Sequence, residues 1–334
     1  MLNKKLKLNE GLWKSSEKES NRNGFGRGLV SAGRENKDVV ALVADLKDSL
    51  CMNDFAREFP NRFIEVGVAE QNLITVSSGM ARMGKIPFAG SYAVFSPGRN
   101  WEQIRTTICY NNVPVKIVGS HAGLSVGADG GSHQALEDIA LMTVLPNMHV
   151  FSPCDSIEAE KITRAMSQND RPNYLRLCRD KTQLMTTKDT PFEIGKIYEF
   201  YRSTNIKSNE IDIAIFATGP ILSECLSVAK KISEHGRGVA VFNVPTIKPL
   251  DEYALLKVAH EAKAIVTVED HQKIGGLGAI ISLYLSQHFP TPIEIVAVND
   301  VFGQSGSTKE LYGHYSLTEI DIYKACERAI LRKK

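Results

Sequence analysis

The stretch Glu65-Val66-Gly67-Val68-Ala69-Glu70-Gln71-Asn72 passes from an apolar strand directly into a helix. In a parallel α/β sheet, ligands bind at the edge where strands end and helices begin. A carboxylate at that position also has a purely structural function, because the dipole of a helix N-terminus favours it by about 0.3–1 kcal/mol. Position alone therefore predicts that Glu70 stabilises a helix. A catalytic role for Glu70 can be inferred only from the surrounding residues.

Short apolar or β-branched runs alternate with longer segments of helical spacing on both sides of this stretch. In the N-terminal half, strands are predicted at residues 39–44, 62–66, 87–91, 115–119 and 149–152, and helices at residues 71–83, 101–110 and 157–166. After a break near residues 188–191, further strands are predicted at residues 211–217, 238–244, 264–268 and 293–298. This alternation predicts βαβ units in mostly parallel, doubly wound sheets.

The length of the chain indicates two α/β domains. A chain of 334 residues is long for one hydrophobic core. We predict a doubly wound first domain over residues 21–188 and a smaller α/β domain over residues 195–334. Residues 1–20 are polar and are predicted to form a peripheral extension, of which the basic residues 1–7 are expected to fray.

The composition argues against several classes of protein. With 40 basic and 38 acidic residues, the formal charge of +2 gives no electrostatic reason to expect a nucleic acid as partner. No apolar run approaches the roughly twenty residues that span a bilayer, and no secretion-signal core follows the N-terminal lysines. The six scattered cysteines favour buried thiols over disulfides or a zinc site. We therefore expect a cytoplasmic protein that binds neither membranes nor nucleic acid.

A second motif begins about fifty residues after Glu70, with the sequence His121-Ala-Gly-Leu-Ser-Val-Gly-Ala-Asp-Gly-Gly-Ser-His-Gln134. Glycines at this density let a backbone approach a ligand closely. Together with Val68-Ala-Glu-Gln-Asn72 and residues 136–148, this motif resembles the transketolase family. The resemblance runs from about Arg22 to the C-terminus and corresponds to the C-terminal half of the full-length enzyme.

The resemblance implies that the chain holds the pyrimidine ring of thiamine diphosphate. Glu70 would hydrogen-bond a ring nitrogen and promote the tautomer from which the cofactor's reactive carbanion arises. Such an acid must be able to hold a proton, which burial among apolar neighbours favours. Tyr92 and Phe95 would stack against the ring, with Arg99 in the same loop, although both aromatic rings could instead belong to the hydrophobic core.

The resemblance also assigns a set of substrate contacts. His121, Asp129 and His133 would face the sugar as catalytic groups, bonding its hydroxyl groups or the developing oxyanion. Buried structural histidines, and a turn capped by Asp129, remain alternatives. The phosphate of the sugar would bind the residues at the pocket mouth, which are Arg22, Ser49 and Arg179. Each of these three could also be an ordinary surface residue.

One family signature is absent from the sequence, namely Gly-Asp-Gly followed some thirty residues later by paired Asn. That signature binds the diphosphate and its metal ion. The resemblance therefore implies a separate N-terminal subunit that supplies the ligands for diphosphate and for Mg²⁺ or Ca²⁺, in a two-plus-two heterotetramer. No metal site is expected in this chain. The implied reaction transfers a two-carbon ketol unit between ketose and aldose phosphates.

Three other functions remain open at this point. The beta subunit of a 2-oxo acid dehydrogenase shares the architecture and the glutamate, but it has no need for Arg22, His121, Asp129 and Arg179 together. The other two are a transketolase for a modified sugar and a non-catalytic scaffold half.

In the second domain, residues 275–278 form a glycine cluster that enters a helix, which we interpret as close helix packing and not as a dinucleotide site.

Overall fold

A computed structural model describes residues 1–13, 17–208 and 210–332 of the chain. The parts of the predicted domains at residues 14–16, 209 and 333–334 lie outside the described residues. The strands of the N-terminal part are β1 (Lys18–Ser20), β2 (Val39–Val43), β3 (Phe63–Glu65), β4 (Ile86–Tyr92), β5 (Lys116–Ser120), β6 (His149–Phe151), β7 (Asn173–Arg176) and β8 (Lys181–Gln183). Its helices are α1 (Asn21–Glu35), α2 (Asn53–Glu58), α3 (Glu70–Arg82), α4 (Trp101–Gln103), α5 (Asp138–Thr143) and α6 (Ser156–Ser167).

The C-terminal part repeats the alternation of strands and helices. Its strands are β9 (Tyr198–Ser203), β10 (Ile211–Ala217), β11 (Val239–Asn243), β12 (Thr246–Lys248), β13 (Ala262–Gln272) and β14 (Ile293–Val298). Its helices are α7 (Leu222–Glu234), α8 (Glu252–Glu261), α9 (Leu277–His288), α10 (Thr308–His314) and α11 (Glu319–Leu331).

Two larger sheets carry these elements, and both are mostly parallel. The first sheet has seven strands in the order β12-β6-β7-β5-β4-β2-β3, and only the β12–β6 pair is antiparallel. The second sheet has the order β14-β13-β10-β11-β9, in which only β9 runs antiparallel to its neighbour. Strands β2, β5, β10 and β11 are buried along their whole length, as expected where helices cover both faces. The predicted α/β fold is confirmed.

The predicted helix at residues 101–110 differs from the structure in its geometry. Helix α4 makes a single α-helical turn, and the chain then continues as a π-helical segment over Ile104–Cys109. Over so short a segment, the hydrophobic spacing does not distinguish α-helical from π-helical geometry. Here Ile104, Ile108 and Cys109 are buried in the core beneath the first sheet.

Strands β1, β7, β8, β9 and β12 are not among the predicted strands. Strand β9 lies at the edge of the second sheet, where only Phe200 and Tyr201 are buried, so its apolar signal is weak. Strand β12 begins three residues after β11 ends and pairs with β6 of the first sheet, Thr246 opposite Phe151. A segment from the C-terminal part thus completes the edge of the first sheet.

The expectation that residues 1–7 fray is wrong. The backbone N–H of Asn3 donates to the carbonyl of Phe200 at 3.0 Å, and Leu2 forms a β-bridge with Tyr201. A turn later, Leu8 and Leu12 are buried in the apolar cluster that includes Phe200. The polar composition of the segment hid these two leucines, whose burial offsets the cost of ordering the chain.

The glycine cluster at residues 275–278 packs a helix closely onto its sheet, as predicted. A Cβ atom built on Gly278 would lie 2.5 Å from Thr267 Oγ1 and 2.7 Å from an Ile295 methyl group. The N–H groups of Leu277 and Gly278 donate to the Glu269 carboxylate at 2.7 and 2.9 Å, and burial raises the pKa of Glu269 to about 7. An internal carboxylate therefore already occupies the helix N-terminus where a phosphate would bind.

His271, two residues after Glu269, should make stability depend on pH. Burial lowers its pKa to about 4, while Nδ1 lies 2.8 Å from the Gln272 carbonyl and Nε2 accepts the N–H of Ala140 at 3.4 Å. Because the unfolded chain binds this proton between about pH 6.5 and 4 and the folded chain does not, stability contributed by neutral His271 is lost as pH falls through that range.

Substituting His271→Gln should therefore weaken the pH dependence of unfolding. Between pH 7 and pH 5 the wild-type chain should lose on the order of 1–2 kcal/mol that the variant retains, measured by urea denaturation at both pH values. The exposed His235→Gln variant is the matched control and should follow the wild-type profile. Equal pH dependence in all three proteins would contradict the prediction.

The remaining sequence expectations concern thiols, membranes and metals. Five of the six cysteines are buried free thiols, and Cys51 is partly exposed. Within the described ranges, no helix is long and apolar enough to cross a membrane. The same part of the chain contains no group of three or more His, Cys, Asp or Glu side chains arranged to hold a metal ion.

Candidate active site

The candidate site lies at the carboxyl edge of the first sheet. Neighbouring parallel strands of the order β7-β5-β4-β2-β3 all end there. Tyr92 and His121 lie at or directly after strand ends, and the segments that follow the other three strands carry Ser49, Glu70 and Arg179. Ligands of parallel α/β sheets bind at this edge. The fold thus gathers residues that are up to 130 positions apart in the sequence (179 − 49).

A single carboxylate shapes the corner between strand β3 and helix α3. Glu65 Oε1 accepts the N–H of Asp45 at 2.8 Å and that of Gly67 at 2.9 Å. Gly67 has φ of 70°, a left-handed conformation that glycine adopts without strain. The chain can therefore turn sharply after the strand, and Glu70 becomes the first residue of the helix with only 5% of its surface exposed.

The side chain of Glu70 has one polar partner among the described residues, which is Arg99. The Nη1 atom of Arg99 lies 3.1 and 3.2 Å from the two carboxylate oxygens. The backbone of Glu70 is fixed separately, because Asn100 Nδ2 donates to its carbonyl at 2.9 Å and to Ser96 Oγ at 3.1 Å. A buried carboxylate is thus held in a defined position beside one arginine.

Aromatic rings form a layer next to this carboxylate. Tyr92 stacks on His121 with 3.9 Å between ring centroids, and lies 6.0 Å from Phe95 in a near-parallel orientation. Phe95 contacts His133 edge-on at 5.5 Å. The guanidinium carbon of Arg99 lies 4.0 Å from the centroid of Phe95. The predicted cofactor residues and two predicted substrate residues are therefore in mutual contact.

His121 is held in its neutral form. Burial lowers its pKa to about 3, and the positive charges of Arg22 and Arg179 act in the same direction. Its Nδ1 atom lies 2.9 Å from Ser120 Oγ. Its backbone has φ of 53°, which is uncommon for a residue with a side chain and occurs often at functional sites. Near neutral pH the uncharged imidazole of His121 can therefore donate one hydrogen bond and accept another, but it carries no positive charge.

The residues predicted to bind phosphate lie beside the aromatic layer. Arg22 donates to the carbonyls of Ser49 at 2.7 Å and Arg179 at 2.8 Å, and to Ser20 Oγ at 3.1 Å. The Tyr92 hydroxyl donates to Ser49 Oγ at 3.2 Å. The guanidinium of Arg22 is thus fixed by three bonds, while one N–H on each terminal nitrogen remains for an anion.

Asp129 is the predicted residue that the structure does not connect to the others. It is exposed at the end of the 3₁₀-helical segment Gly123–Asp129, which Gly127 interrupts with φ of 73°. Within the part of the chain that the structure describes, its side chain makes no hydrogen bond and no ion pair. It shares the glycine-rich loop with His121 and His133.

The C-terminal part holds the glycine-rich loop in place, a contact that sequence reasoning missed. The N–H of Leu124 donates to both carboxylate oxygens of Asp270 at 3.1 Å. Farther along the loop, Gln134 Nε2 donates to the carbonyl of Gln304 at 3.1 Å. The sequence signal for Asp270 is the charged run Glu269-Asp270-His271, which directly follows the predicted strand at residues 264–268.

A buried ion pair connects Asp270 to the first sheet. Arg176, at the end of β7, bonds Asp138 at 3.0 Å, and its Nη2 atom donates to the carbonyl of Asp270 at 2.7 Å. The Tyr174 hydroxyl donates to the same Asp138 carboxylate at 2.8 Å. Arg176 and Asp138 are 6% and 1% exposed, so this network is shielded from solvent.

The arrangement suits a flat heterocycle with a hydrogen-bonding ring nitrogen. Glu70 offers a buried carboxylate, Arg99 links it to the Phe95 ring, and Tyr92 lies near-parallel to Phe95. The described residues therefore fit the pyrimidine ring of a cofactor such as thiamine diphosphate.

Comparisons with known proteins agree with this geometry. Residues 17–185 match the family described as transketolase, pyrimidine binding domain, and residues 203–322 match the transketolase C-terminal domain. These matches define the chain as the pyrimidine-binding and C-terminal domains of a thiamine-dependent enzyme class.

Individual relatives are similar over nearly their whole length. The chain is 39% identical over 306 residues to a protein provisionally named a transketolase C-terminal section from Methanocaldococcus jannaschii, covering 91% of this chain and 94% of that one. It is 35% identical over 305 residues to a 6-deoxy-6-sulfo-D-fructose transketolase subunit from Clostridium sp. strain MSTE9, covering 91% and 92%. A solved split-gene transketolase, an inactive β4 tetramer, has 39% identity and a TM-score of 0.87 over 94% of this chain and 99% of that one. The chain belongs to the transketolase family, as a C-terminal section of the split type.

Proposed function

We propose that the chain is the C-terminal subunit of a thiamine-diphosphate-dependent split transketolase. Together with a separate N-terminal subunit, it would transfer a two-carbon ketol unit between ketose and aldose phosphates. The observation that carries the proposal is the buried Glu70 carboxylate, which Arg99 links to the Phe95 ring, at the carboxyl edge of the first sheet. The similarity to split transketolase sections over most of the chain supports it.

In this proposal Glu70 and the aromatic layer hold the pyrimidine ring. When bound, thiamine diphosphate supplies the carbon nucleophile of the reaction. Glu70 would hold or release a proton at a pyrimidine ring nitrogen, and its burial would keep water away from that position. Tyr92 and Phe95 orient the ring by stacking, and Arg99 belongs to the same cofactor site.

The proposed substrate site is the neighbouring group of polar residues. His121 and His133, which contact the aromatic layer, would bond the sugar hydroxyls and the developing oxyanion, and Asp129 would bond the hydroxyl near C2. Arg22, Ser49 and Arg179 would bind the phosphate at the pocket mouth. Two observations support this phosphate site. Arg22 donates to the carbonyls of Ser49 and Arg179, and the positive charges of Arg22 and Arg179 lie near His121.

The proposed partner subunit supplies the diphosphate and metal ligands. The sugar chemistry needs both halves, and the cofactor would lie between them. The proposed assembly is a two-plus-two heterotetramer. Val68, two residues before Glu70, is 69% exposed, and Phe302 of the segment that contacts the glycine-rich loop is 88% exposed. Large apolar side chains at the rim of a site support a surface that another subunit covers.

A second candidate is the same reaction on a modified sugar. The relative from Clostridium is named for 6-deoxy-6-sulfo-D-fructose, in which a sulfonate takes the place of phosphate. A pair of arginines such as Arg22 and Arg179 suits either anion. An assay with both kinds of donor sugar therefore decides between phosphate and sulfonate substrates.

The test is a two-carbon transfer assay on the chain alone and on the chain co-expressed with a candidate N-terminal subunit. Xylulose 5-phosphate and ribose 5-phosphate serve as substrates with thiamine diphosphate and Mg²⁺, and a sulfofructose donor is tested in parallel. Activity only in the pair is expected. A stable pair that binds thiamine diphosphate but acts on pyruvate with a lipoyl acceptor would replace the proposal with a 2-oxo acid dehydrogenase, and inactivity on every donor would leave a scaffold half.

A further inference from the structure

Arg99 makes the two contacts that the pyrimidine ring itself would need. Its Nη1 donor lies 3.1 Å from one oxygen of Glu70 and 3.2 Å from the other. Its guanidinium carbon lies 4.0 Å from the centroid of Phe95. One side chain thus satisfies the buried carboxylate and covers the aromatic ring beside it.

The chemical similarity between the two groups is close. A guanidinium is planar, delocalised and cationic, carries several N–H donors and stacks on aromatic faces. A protonated aminopyrimidine is likewise a planar cation with an N–H donor on its ring. Both would bond the Glu70 carboxylate and lie against Phe95, so both cannot do so in the same place.

We propose that Arg99 occupies the pyrimidine position in the chain without cofactor and that thiamine diphosphate binds by displacing its guanidinium. The inference rests on the proposed function, because it requires Glu70 and Phe95 to be the pyrimidine contacts. Arg99 acts as an internal competitor that is exchanged for the cofactor.

The burial of the two side chains fits an exchange of this kind. Glu70 is 5% exposed, whereas the side chain of Arg99 is 51% exposed and can move into solvent. A buried carboxyl group without a hydrogen-bond partner is costly, so Arg99 stays in place until another donor replaces it. Backbone contacts hold the loop itself, since the carbonyl of Arg99 accepts from Gln71 Nε2 at 3.4 Å and Asn100 bonds the carbonyl of Glu70.

A permanent clamp is the competing explanation for the same contacts. In that case Arg99 would stay on Glu70 and orient it in the loaded enzyme, and its loss would weaken cofactor binding. If the cofactor displaces Arg99, loss of Arg99 should instead strengthen cofactor binding. The affinity for thiamine diphosphate therefore separates the two explanations.

The first experiment measures thiamine diphosphate binding to the assembled two-subunit complex by isothermal titration calorimetry. Arg99→Ala should bind the cofactor more tightly than wild type, on the order of tenfold, because binding no longer requires displacement of a competing conformer. Arg105→Ala removes an exposed arginine six residues later and should bind like wild type. Equal or weaker binding by Arg99→Ala overturns the inference. If the wild-type complex binds no thiamine diphosphate, the proposed function fails instead.

The second experiment tests the pairing in the full chain without its partner, by thermal denaturation. Arg99→Ala should lower the melting temperature by several degrees, because it leaves the Glu70 carboxylate unpaired. In a Glu70→Gln background the same substitution should have little effect, since a neutral amide needs no cation beside it. A similar loss in both backgrounds would show that Arg99 stabilises the loop by other contacts, and would overturn the exchange.

Discussion

Replacing Glu70 with glutamine is expected to lower the kcat of two-carbon transfer by about 10²–10⁴-fold in the assembled enzyme. The amide preserves the shape of the side chain and can still hydrogen-bond, but it cannot exchange a proton with the pyrimidine ring. The backbone position should be unchanged, because Asn100 holds it through the Glu70 carbonyl at 2.9 Å. Steady-state kinetics at saturating thiamine diphosphate measure the effect.

The matched control for this substitution is Glu102→Gln. Glu102 is an exposed carboxylate three residues after Arg99, at the start of α4, and its conversion to an amide should leave kcat near the wild-type value. Thermal denaturation of both variants checks that they are folded. A Glu70→Gln enzyme with wild-type kcat and wild-type cofactor affinity would contradict the assignment of Glu70 as the proton-exchanging group.

Replacing Arg176 with alanine is expected to lower the free energy of unfolding by about 3–5 kcal/mol. Arg176 and Asp138 are 6% and 1% exposed, so the substitution leaves a carboxylate buried without its charged partner. It also removes the donor to the Asp270 carbonyl, on which the position of the glycine-rich loop depends. Urea denaturation followed by circular dichroism measures the loss.

An exposed ion pair provides the comparison for Arg176. Arg34 bonds both oxygens of Glu58 at 2.7 Å, but its side chain is 64% exposed. Because water screens this pair, Arg34→Ala should leave the free energy of unfolding almost unchanged. If the two substitutions had equal effects, burial would not be what makes the Arg176 network important.

Much of the fold was predictable because its signals are local. Buried parallel strands such as β10 are continuous apolar runs, and each is followed by a helix with its own spacing. The convergence of Glu70, Tyr92 and His121 was also predictable, since strand ends in a parallel sheet meet at one edge. These inferences need only the order of elements along the chain.

The contacts that could not be predicted join residues far apart in the sequence. Asp270 and Leu124 are separated by 146 positions, and no periodicity links them. The docking of Leu8 and Leu12 depends on an apolar surface that exists only once the second sheet has formed. Likewise, the pairing of Arg99 with Glu70 requires side-chain geometry that the loop sequence does not specify. Each of these contacts is a property of the tertiary structure.

The bond between Asp270 and Leu124 limits how the two halves of the chain can be recombined. The glycine-rich loop comes from one half, and the carboxylate that fixes its N–H comes from the other. A chimera that takes its C-terminal half from a different relative would also import a new support for that loop. Substrate preference in such chimeras should therefore depend on whether the loop and the carboxylate at position 270 come from the same relative. To keep the loop in place, the loop and this carboxylate must be exchanged together.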